Sequence, residues 1–557
     1  MRAVLGLKLN PWHDTGAAVV VEKDADLRVV TISQERLDRV KNSRAFPREA
    51  IDFCLGEADC RTKGLDLIVA DYIVQPEIDD RFMGGDPHLD RKVEFFKNVE
   101  TLGIPVMFAE HHLCHAASAY LATDWTDALG LVIDGHGSGY ETQTIFDCAG
   151  TSITKLASSH RPGIGWMYTV ATETLLGFAH LQEGKTMGLA GWTGDAGPWQ
   201  RAFDSTPSPG APLATHYPQF ADTVSKPWWQ LCAAADMPRR QPADDPTADP
   251  FVKYAFAAQA ELERGIMQVA RYARSLSPRK RLCYAGGAAL NILANRLLLD
   301  SGLFGDLFIQ PAASDTGIPL GAALLGYYTA LGGTRRWQMP HAFLARGYAD
   351  AETAAAAAWK GHRSPYRVED MARILSHDYL AGWFAGASEF GPRALGHRSI
   401  LCCPGHPQMK AYLNKEVKHR EMFRPFAPIV PEERQAEFFD LRTPSPYMLL
   451  NATVRRDKAG LIPAVVHADG TARVQSIPRT SQPELHALLE EVARVTGVPV
   501  LLNTSLNLAG EPIVETPDEA VDLFSRSRLD VLVLGSQILT KNPLETLLAL
   551  PNPGLPR

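Results

Sequence analysis

His111 and His115 stand four residues apart in the stretch Glu110-His111-His112-Leu113-Cys114-His115-Ala116-Ala117-Ser118-Ala119-Tyr120. The stretch is rich in alanine and holds no helix breaker, and the apolar run 104–108 before it reads as a strand. On a helix this spacing sets both imidazoles on one face, one turn apart, where both reach a single ion. His112 points elsewhere. A zinc-protease pattern would need glutamate at position 112, so that chemistry is excluded. Two histidines at this spacing are more often structural than ligating, so the pair needs a further donor. Asp315, in Ser314-Asp315-Thr316-Gly317, is a candidate third ligand, and equally a candidate N-cap for the helix read over 321–331.

A second kind of chemistry is written between residues 389 and 428, where Arg393, Arg398, Lys410, Lys415, Lys418, Arg420 and Arg424 gather in a chain of net charge −7. Phe390, Phe423 and Phe426 interleave with them, which points to burial. Lys418 and Arg420 follow the helix read over 407–417 and precede a proline-rich exit, which fits an extended segment. Cations gathered this way make a phosphate pocket rather than a nucleic-acid stripe. Three polar clusters lie downstream: Ser445-Pro446-Tyr447-Met448, the run 469–475 with Arg473, and Asn503-Thr504-Ser505-Leu506-Asn507 at a strand end.

Glycine supplies the third signal. Two strand–turn–strand patterns carry polar or Gly-rich turns, one at 10–16 with His13 and one at 134–139 with Asp134. Such turns let backbone N–H groups close on an anion, and two of them suggest a duplicated, two-lobed ATP-binding fold. A buried strand at 282–285 runs into Gly286-Gly287-Ala288-Ala289-Leu290-Asn291, a strand-to-helix turn of the kind that seats a nucleotide. The Gly-rich run 183–191 carries Lys185 but lacks Walker spacing. Apart from the hairpins no internal repeat is visible.

These groups need a large scaffold. At 557 residues, two large domains are the default, and the 45% apolar and 21% charged fractions are those of an ordinary globular protein. The charge argues against general nucleic-acid or acidic-membrane binding. Residues 1–8 read as a strand rather than a signal peptide, and no apolar run is long enough to span a bilayer. Eight cysteines without a C-x-x-C pair suggest reduced thiols and a cytoplasmic location. The charged run 33–41 reads as a solvated face, 199–250 as an irregular excursion containing Trp228-Trp229, and 251–276 as a long helix.

Taken in order, His13-Asp14-x-Gly16, 111–119, Asp134-Gly135, 183–190, 286–291, 389–399, 418–428 and 503–507 resemble the bacterial O-carbamoyltransferases of nodulation and antibiotic pathways, over nearly the whole chain. The resemblance implies an α/β protein of two domains. Residues 1–345 would form a two-lobed actin/sugar-kinase-like domain, similar to the catalytic subunit of the tRNA threonylcarbamoyl transferase. Residues 346–557 would form a YrdC-like α/β domain. It further implies that carbamoyl phosphate loses phosphate to give carbamate, that ATP, with Mg2+, adenylates the carbamate, and that the first domain passes the carbamoyl group to a hydroxyl of a small natural product or sugar.

By motif, His111, His115 and Asp315 would hold Fe(II) or another divalent metal, with His13 and Asp134 beside the acceptor and carbamoyl carbon. Gly286, Gly287 and Asn291 would hold adenosine; Arg393, Lys418, Arg420, Met448, Arg473, Ser505 and Asn507 would line the first site. A homodimer is also an expectation. Two departures stand out: Ala387-Ser388 where the family usually has Arg-Met, and His397 where it has Asn. A tRNA-directed transferase would favour a basic face, a hydrogenase-maturation transferase needs Cys-paired zinc fingers, and an actin-like ATP-switched module needs neither the histidine pair nor the basic pocket.

Overall fold

The computed structural model describes residues 1–9, 11–24, 26–71, 89–139, 141–159, 163–203, 206–208, 211–216 and 237–555. Residues 204–205, 209–210 and 217–236 of the predicted 199–250 excursion, Trp228-Trp229 among them, lie outside the described residues. The chain divides into two compact units: Met1–Asp38 with Asn42–Pro340, and Arg39–Lys41 with His341–Arg557.

The first unit is built twice from one plan. Strands β1 (Arg2–Lys8), β2 (Gly16–Lys23), β3 (Asp26–Ser33), β4 (Leu67–Ala70) and β5 (Val106–Phe108) form a sheet in the order β3-β2-β1-β4-β5. Strands β6 (Asp127–Ile133), β7 (Gln143–Ala149), β8 (Ser152–Ser159), β9 (Arg281–Ala285) and β10 (Asp306–Ile309) repeat that order as β8-β7-β6-β9-β10. In each sheet the first three strands are antiparallel, and the last two run parallel to the first.

The helices repeat too. The pairs are α1 (Arg48–Glu57) with α6 (Phe251–Leu276), α2 (Leu89–Glu100) with α7 (Ile292–Asp300), and α3 (His111–Tyr120) with α8 (Ile318–Leu325); α4 (Ile164–Val170) and α5 (Glu183–Ala190) are insertions in the second half. This is the two-lobed actin/sugar-kinase architecture. Both glycine turns read from the sequence are its hairpins, β1–β2 and β6–β7. The repeat therefore extends through the whole unit, in topology rather than in residue identity.

The strands next to the site are buried along their length, so they show little alternation: Ala3 through Lys8 are all buried. The α8 helix is apolar all round, packed against α3 and β1. At Gly321 a Cβ would lie 1.9 Å from the Cys114 carbonyl oxygen, so only glycine lets α8 reach the α3 backbone. The helix after Asp315 begins at Ile318, not at 321 as expected, with a short 3-10 turn over Asp315–Gly317 before it.

The second unit centres on an eight-stranded mixed sheet. With β11 (His362–Pro365), β12 (Ala381–Phe384), β13 (Arg398–Cys402), β14 (Ala427–Pro431), β15 (Phe439–Asp440), β16 (Asn451–Val454), β17 (Thr471–Arg473), β18 (Gln475–Ile477), β19 (Leu501–Ser505), β20 (Val531–Leu534) and β21 (Gln537–Thr540), its order is β11-β21-β20-β12-β13-β19-β14-β18; β15-β16-β17 make a small separate sheet. Helices α9 (Val368–Ser376) and α10 (Pro483–Thr496) pack on each other, and both put leucines, isoleucine or valine into one apolar cluster with Trp383. The charged run 33–41 is not all a solvated face. Arg39 groups with this unit and donates to the Pro512 and Ile513 carbonyls at 3.0 and 2.8 Å. Among the described residues no helix is long and apolar enough to cross a membrane, and the described cysteines are free and buried.

Candidate functional site

Four side chains in the first unit converge so that one donor atom from each lies within 4.8 Å of the others: His111, His115, Asp134 and Asp315. The duplicated fold explains the meeting. His111 and His115 sit one turn apart on α3, Asp315 opens the 3-10 turn that leads into the equivalent helix α8, and Asp134 follows β6. His111 Nε2 lies 3.4 Å from Asp134 Oδ2 and 3.3 Å from Asp315 Oδ1; His115 Nε2 lies 3.4 and 3.6 Å from the same oxygens. The resemblance would put Asp134 beside the acceptor; the structure brings its carboxylate into this donor set.

The other atom of three donors is tied down. Asp71, buried, holds His111 Nδ1 at 3.1 Å and takes the Leu9 N–H at 2.8 Å through its other oxygen. Gly287 N–H donates to Asp134 Oδ1 at 2.9 Å. Lys8, wholly buried, sits 3.0 Å from Asp315 Oδ2 and donates to the His13 carbonyl at 2.6 Å. What remains facing inward is His111 Nε2, His115 Nε2, Asp134 Oδ2 and Asp315 Oδ1. His115 Nε2 is buried and makes no hydrogen bond. An orphaned buried imidazole nitrogen costs on the order of 1–3 kcal/mol, and an ion at this point would satisfy it. Asp71, Asp134 and Asp315 against Lys8 leave an excess of two negative charges, which a divalent cation neutralises. Two imidazoles and two carboxylates suit Fe(II), Mn(II) or Zn(II). The residues fit the group.

The titrations reflect that imbalance. Burial alone would push His111 down, but Asp315, Asp134 and Asp71 hold it well above the ordinary imidazole value. Burial would raise Asp134 and Asp315; His111 and His115 for the former, Lys8 and His111 for the latter, hold them well below the carboxylate range. His112 faces the other way, with Nδ1 2.8 Å from Thr144 Oγ1, and burial pushes it well below the usual value.

His13 stands beside these donors, its Nε2 3.8 Å from Asp315 Oδ2 and its Nδ1 3.1 Å from Asp14 Oδ2; Asn42 Nδ2 holds the other Asp14 oxygen at 2.9 Å. Gly286 and Gly287 form the turn against Asp134. Asn291 caps α7 through the Ala294 N–H and exchanges hydrogen bonds with Gln259 at 3.0 and 2.9 Å. Tyr168 OH donates to the same Gln259 at 2.7 Å.

The second unit gathers the predicted cations only in part. Burial first, then the Arg424 guanidinium, lowers Arg393 to about 10 and Arg420 to about 9, and Arg473, buried beside Arg393, Arg420 and Arg424, falls well below its usual value. The Nε groups of Arg393 and Arg473 are buried and unbonded. Arg420 donates to Asn414 Oδ1 at 2.7 Å and lies 4.6 Å over the Phe426 ring. Lys418, 4% exposed, sits at the β19 end, where Nζ meets the Ser505 carbonyl at 2.5 Å, the Asn507 carbonyl at 2.9 Å and Asn507 Oδ1 at 2.7 Å. The nearby carboxylates are Glu421, 4.0 Å from Arg424, and Glu511. Buried guanidiniums with unmade N–H bonds and mutual repulsion have the chemistry to accept an anion.

Three expected members stand apart. Arg398 is wholly buried and donates to backbone carbonyls, Lys415 is exposed beside Glu416, and Met448 packs in the apolar cluster. His397 stacks flat on Phe343 at 3.5 Å, with Nδ1 2.6 Å from the Ala387 carbonyl oxygen, so this departure fills a packing role. Sequence reasoning missed Lys8 and Asp71. The signal for both is a charged residue ending, or directly following, an otherwise apolar strand.

The family model described as carbamoyltransferase N-terminus matches residues 3–101, 89–197 and 238–324, and that described as carbamoyltransferase C-terminus matches residues 372–541. The chain is 34% identical over 559 residues to nodulation protein NolNO of Sinorhizobium fredii, across 96% of this chain and 80% of that protein. It is 31% identical over 603 residues to an uncharacterized protein of Synechocystis sp., across 97% of each. With nodulation protein U of Rhizobium tropici it shares 41% identity over 244 residues, 44% of this chain and 41% of that protein.

Proposed function

The chain belongs to the carbamoyltransferase family, and on that premise we propose that it is an ATP-dependent O-carbamoyltransferase that draws its carbamoyl group from carbamoyl phosphate. Carbamoyl phosphate and water give carbamate and phosphate. Carbamate attacks the α-phosphorus of ATP, and pyrophosphate leaves. An acceptor hydroxyl then attacks the carbamoyl carbon of the adenylate, and AMP leaves with the acceptor carbamoylated. Carbamate is a poor electrophile, and the mixed anhydride supplies the leaving group it lacks.

The observation that carries this reading is the presence of two sites of opposite charge, one in each unit. Arg393, Arg420, Arg424, Arg473 and Lys418 offer the positive charge that phosphoryl displacement requires. In the first unit, His111, His115, Asp134 and Asp315 would hold the divalent metal, which when bound supplies a Lewis acid for the carbamoyl oxygen. His13, whose Nδ1 lies 3.1 Å from Asp14 Oδ2, would take the acceptor's proton. Asn291 and the Gly286–Gly287 turn offer polar contacts and an open backbone for the adenosine. The acceptor is a small hydroxylated molecule, and a nucleic acid is disfavoured by the chain's net charge of −7.

The test incubates the purified chain with ATP, carbamoyl phosphate, Mg2+ and a panel of hydroxylated acceptors. Expected are pyrophosphate release that depends on carbamoyl phosphate, and a carbamoyl mass shift on one acceptor class. Pyrophosphate release indifferent to carbamoyl phosphate would refute the proposal.

A further inference from the structure

The segment that carries Arg393 is built around a carboxylate that the reaction as proposed does not use. Glu389 is 4% exposed, in the connection between β12 and β13. Its Oε1 accepts three backbone N–H bonds, from Leu395 at 2.8 Å, His397 at 2.8 Å and Arg398 at 2.9 Å. Three donors on one ionised oxygen make a strong local anchor. They draw the chain into a closed loop, whose tip is Gly391-Pro392-Arg393, turned by left-handed glycines at both ends, Gly391 at φ 105° and Gly396 at φ 108°.

The loop is pinned immediately beyond Arg393 as well. Asn503 Nδ2 donates to the Ala394 carbonyl at 3.1 Å, and Gln475 Nε2 to the Leu395 carbonyl at 2.7 Å. Both come from sheet strands, β19 and β18. The other side of the loop is closed by Arg398, which donates to the Ala385 and Gly386 carbonyls at 2.7 and 3.0 Å.

Arg393 needs such an anchor. Its neighbours are cations, its Nε is unbonded, and repulsion from Arg424 acts to drive it away while no anion is bound. A loose loop would let the guanidinium swing out to solvent, and every binding event would then have to order it again. Resting on the phosphate-site reading above, we infer that Glu389 is a positioning residue: its three backbone contacts hold Arg393 in the cation cluster before phosphate arrives. It touches no substrate. It acts through Arg393 alone.

A double-mutant cycle on the full chain tests this, with inorganic pyrophosphate and carbamoyl phosphate as calorimetric probes and thermal unfolding as the check on folding. Arg393→Ala is expected to weaken both probes about tenfold or more, the loss of one charge-assisted contact. Glu389→Ala is expected to weaken them to a similar degree, and Glu389→Gln, which keeps an acceptor oxygen, to recover most of the affinity. In steady state the KM for carbamoyl phosphate rises while kcat changes less. The double variant Glu389→Ala/Arg393→Ala binds no more weakly than Arg393→Ala alone. Should Glu389→Ala fail to fold, Glu389→Asp, whose shorter carboxylate cannot reach all three N–H groups, takes its place in the cycle.

Losses that multiply in the double variant, or probe affinities unchanged in a folded Glu389 variant, overturn the inference while leaving the phosphate site standing. Unchanged affinity in Arg393→Ala overturns the phosphate reading at this residue and this inference with it.

Discussion

Asp71→Asn is the smallest change that interrogates the candidate metal centre. The Asp71 carboxylate spends one oxygen on the Leu9 N–H at 2.8 Å and the other on His111 Nδ1 at 3.1 Å. That second contact keeps the Nδ1 proton in place, so the proton an incoming ion displaces is the one on Nε2, whose lone pair then faces inward between Asp134 and Asp315. Asparagine has the same volume but one acceptor oxygen. If that oxygen stays with Leu9, the amide NH2 faces Nδ1, the imidazole proton moves to Nε2, and the lone pair that would ligate is gone. The backbone does not shift to compensate, because Ser138 Oγ holds the Asp71 carbonyl at 3.0 Å. A charge-assisted bond is worth about 1.5–3 kcal/mol, hence roughly a 10- to 150-fold loss of metal affinity, in the range seen for partners of ligating histidines. Chelator-stripped protein titrated with Co(II), followed by its visible absorption, measures this without any enzymatic assay. Affinity within about threefold of the parent, in a variant that unfolds at the parent temperature, would refute the assignment of His111 Nε2 as an inward donor.

Four shorter tests follow. Because nearby carboxylates hold His111 well above its usual value, metal binding at neutral pH must displace its proton; apparent affinity should rise with pH, and calorimetry in buffers of different ionisation enthalpy should count about one proton released per ion. His111→Ala should abolish carbamoyl transfer yet leave carbamoyl-phosphate-dependent pyrophosphate release, whereas Lys418→Ala should lower both by about tenfold or more; equal loss of pyrophosphate release in both variants would mean one composite site. Ser505→Ala removes the Oγ that lies 3.3 Å from Lys418 Nζ and donates to Asn507 Oδ1 at 2.7 Å, so it should reduce pyrophosphate release less than Lys418→Ala does. Burial raises Asp530 from 3.8 to about 6. The folded state therefore holds a proton the unfolded chain has lost between these values, stability falls as pH rises through that window, and Asp530→Asn should stabilise the second unit at pH 7.5 by on the order of 3 kcal/mol. That gain should vanish near pH 4 in paired thermal melts.

How much of this was legible in the sequence depended on whether a signal was local. The hairpin turns were legible because glycine and polar residues between apolar runs have few other solutions. The histidine pair was legible because helical spacing alone puts both rings on one face. The hairpins suggested a duplicated fold, but the full extent of the repeat, β1 through α8, was not legible, because topology is set by which strands pair and the two halves share a fold without sharing residues. Lys8 and Asp71 were hidden for a related reason. Each ends or directly follows a buried strand, where a charge reads as the place the chain returns to solvent, yet here both are turned inward because two lobes close over them. The basic run misled in the opposite sense. Arg393 and Arg398 are both arginines of one motif, five residues apart. One stands with its Nε unbonded among cations and the other is wholly buried over the Phe384 ring, its guanidinium 3.6 Å away. Their number and spacing could not separate the arginine proposed to meet the anion from the one that shapes the loop. What separates them is where their N–H groups point: Arg398 spends its N–H groups on backbone carbonyls, and Arg393 has a buried Nε with none to meet. An arginine with an unmade bond among like charges is the one whose partner arrives from outside the chain.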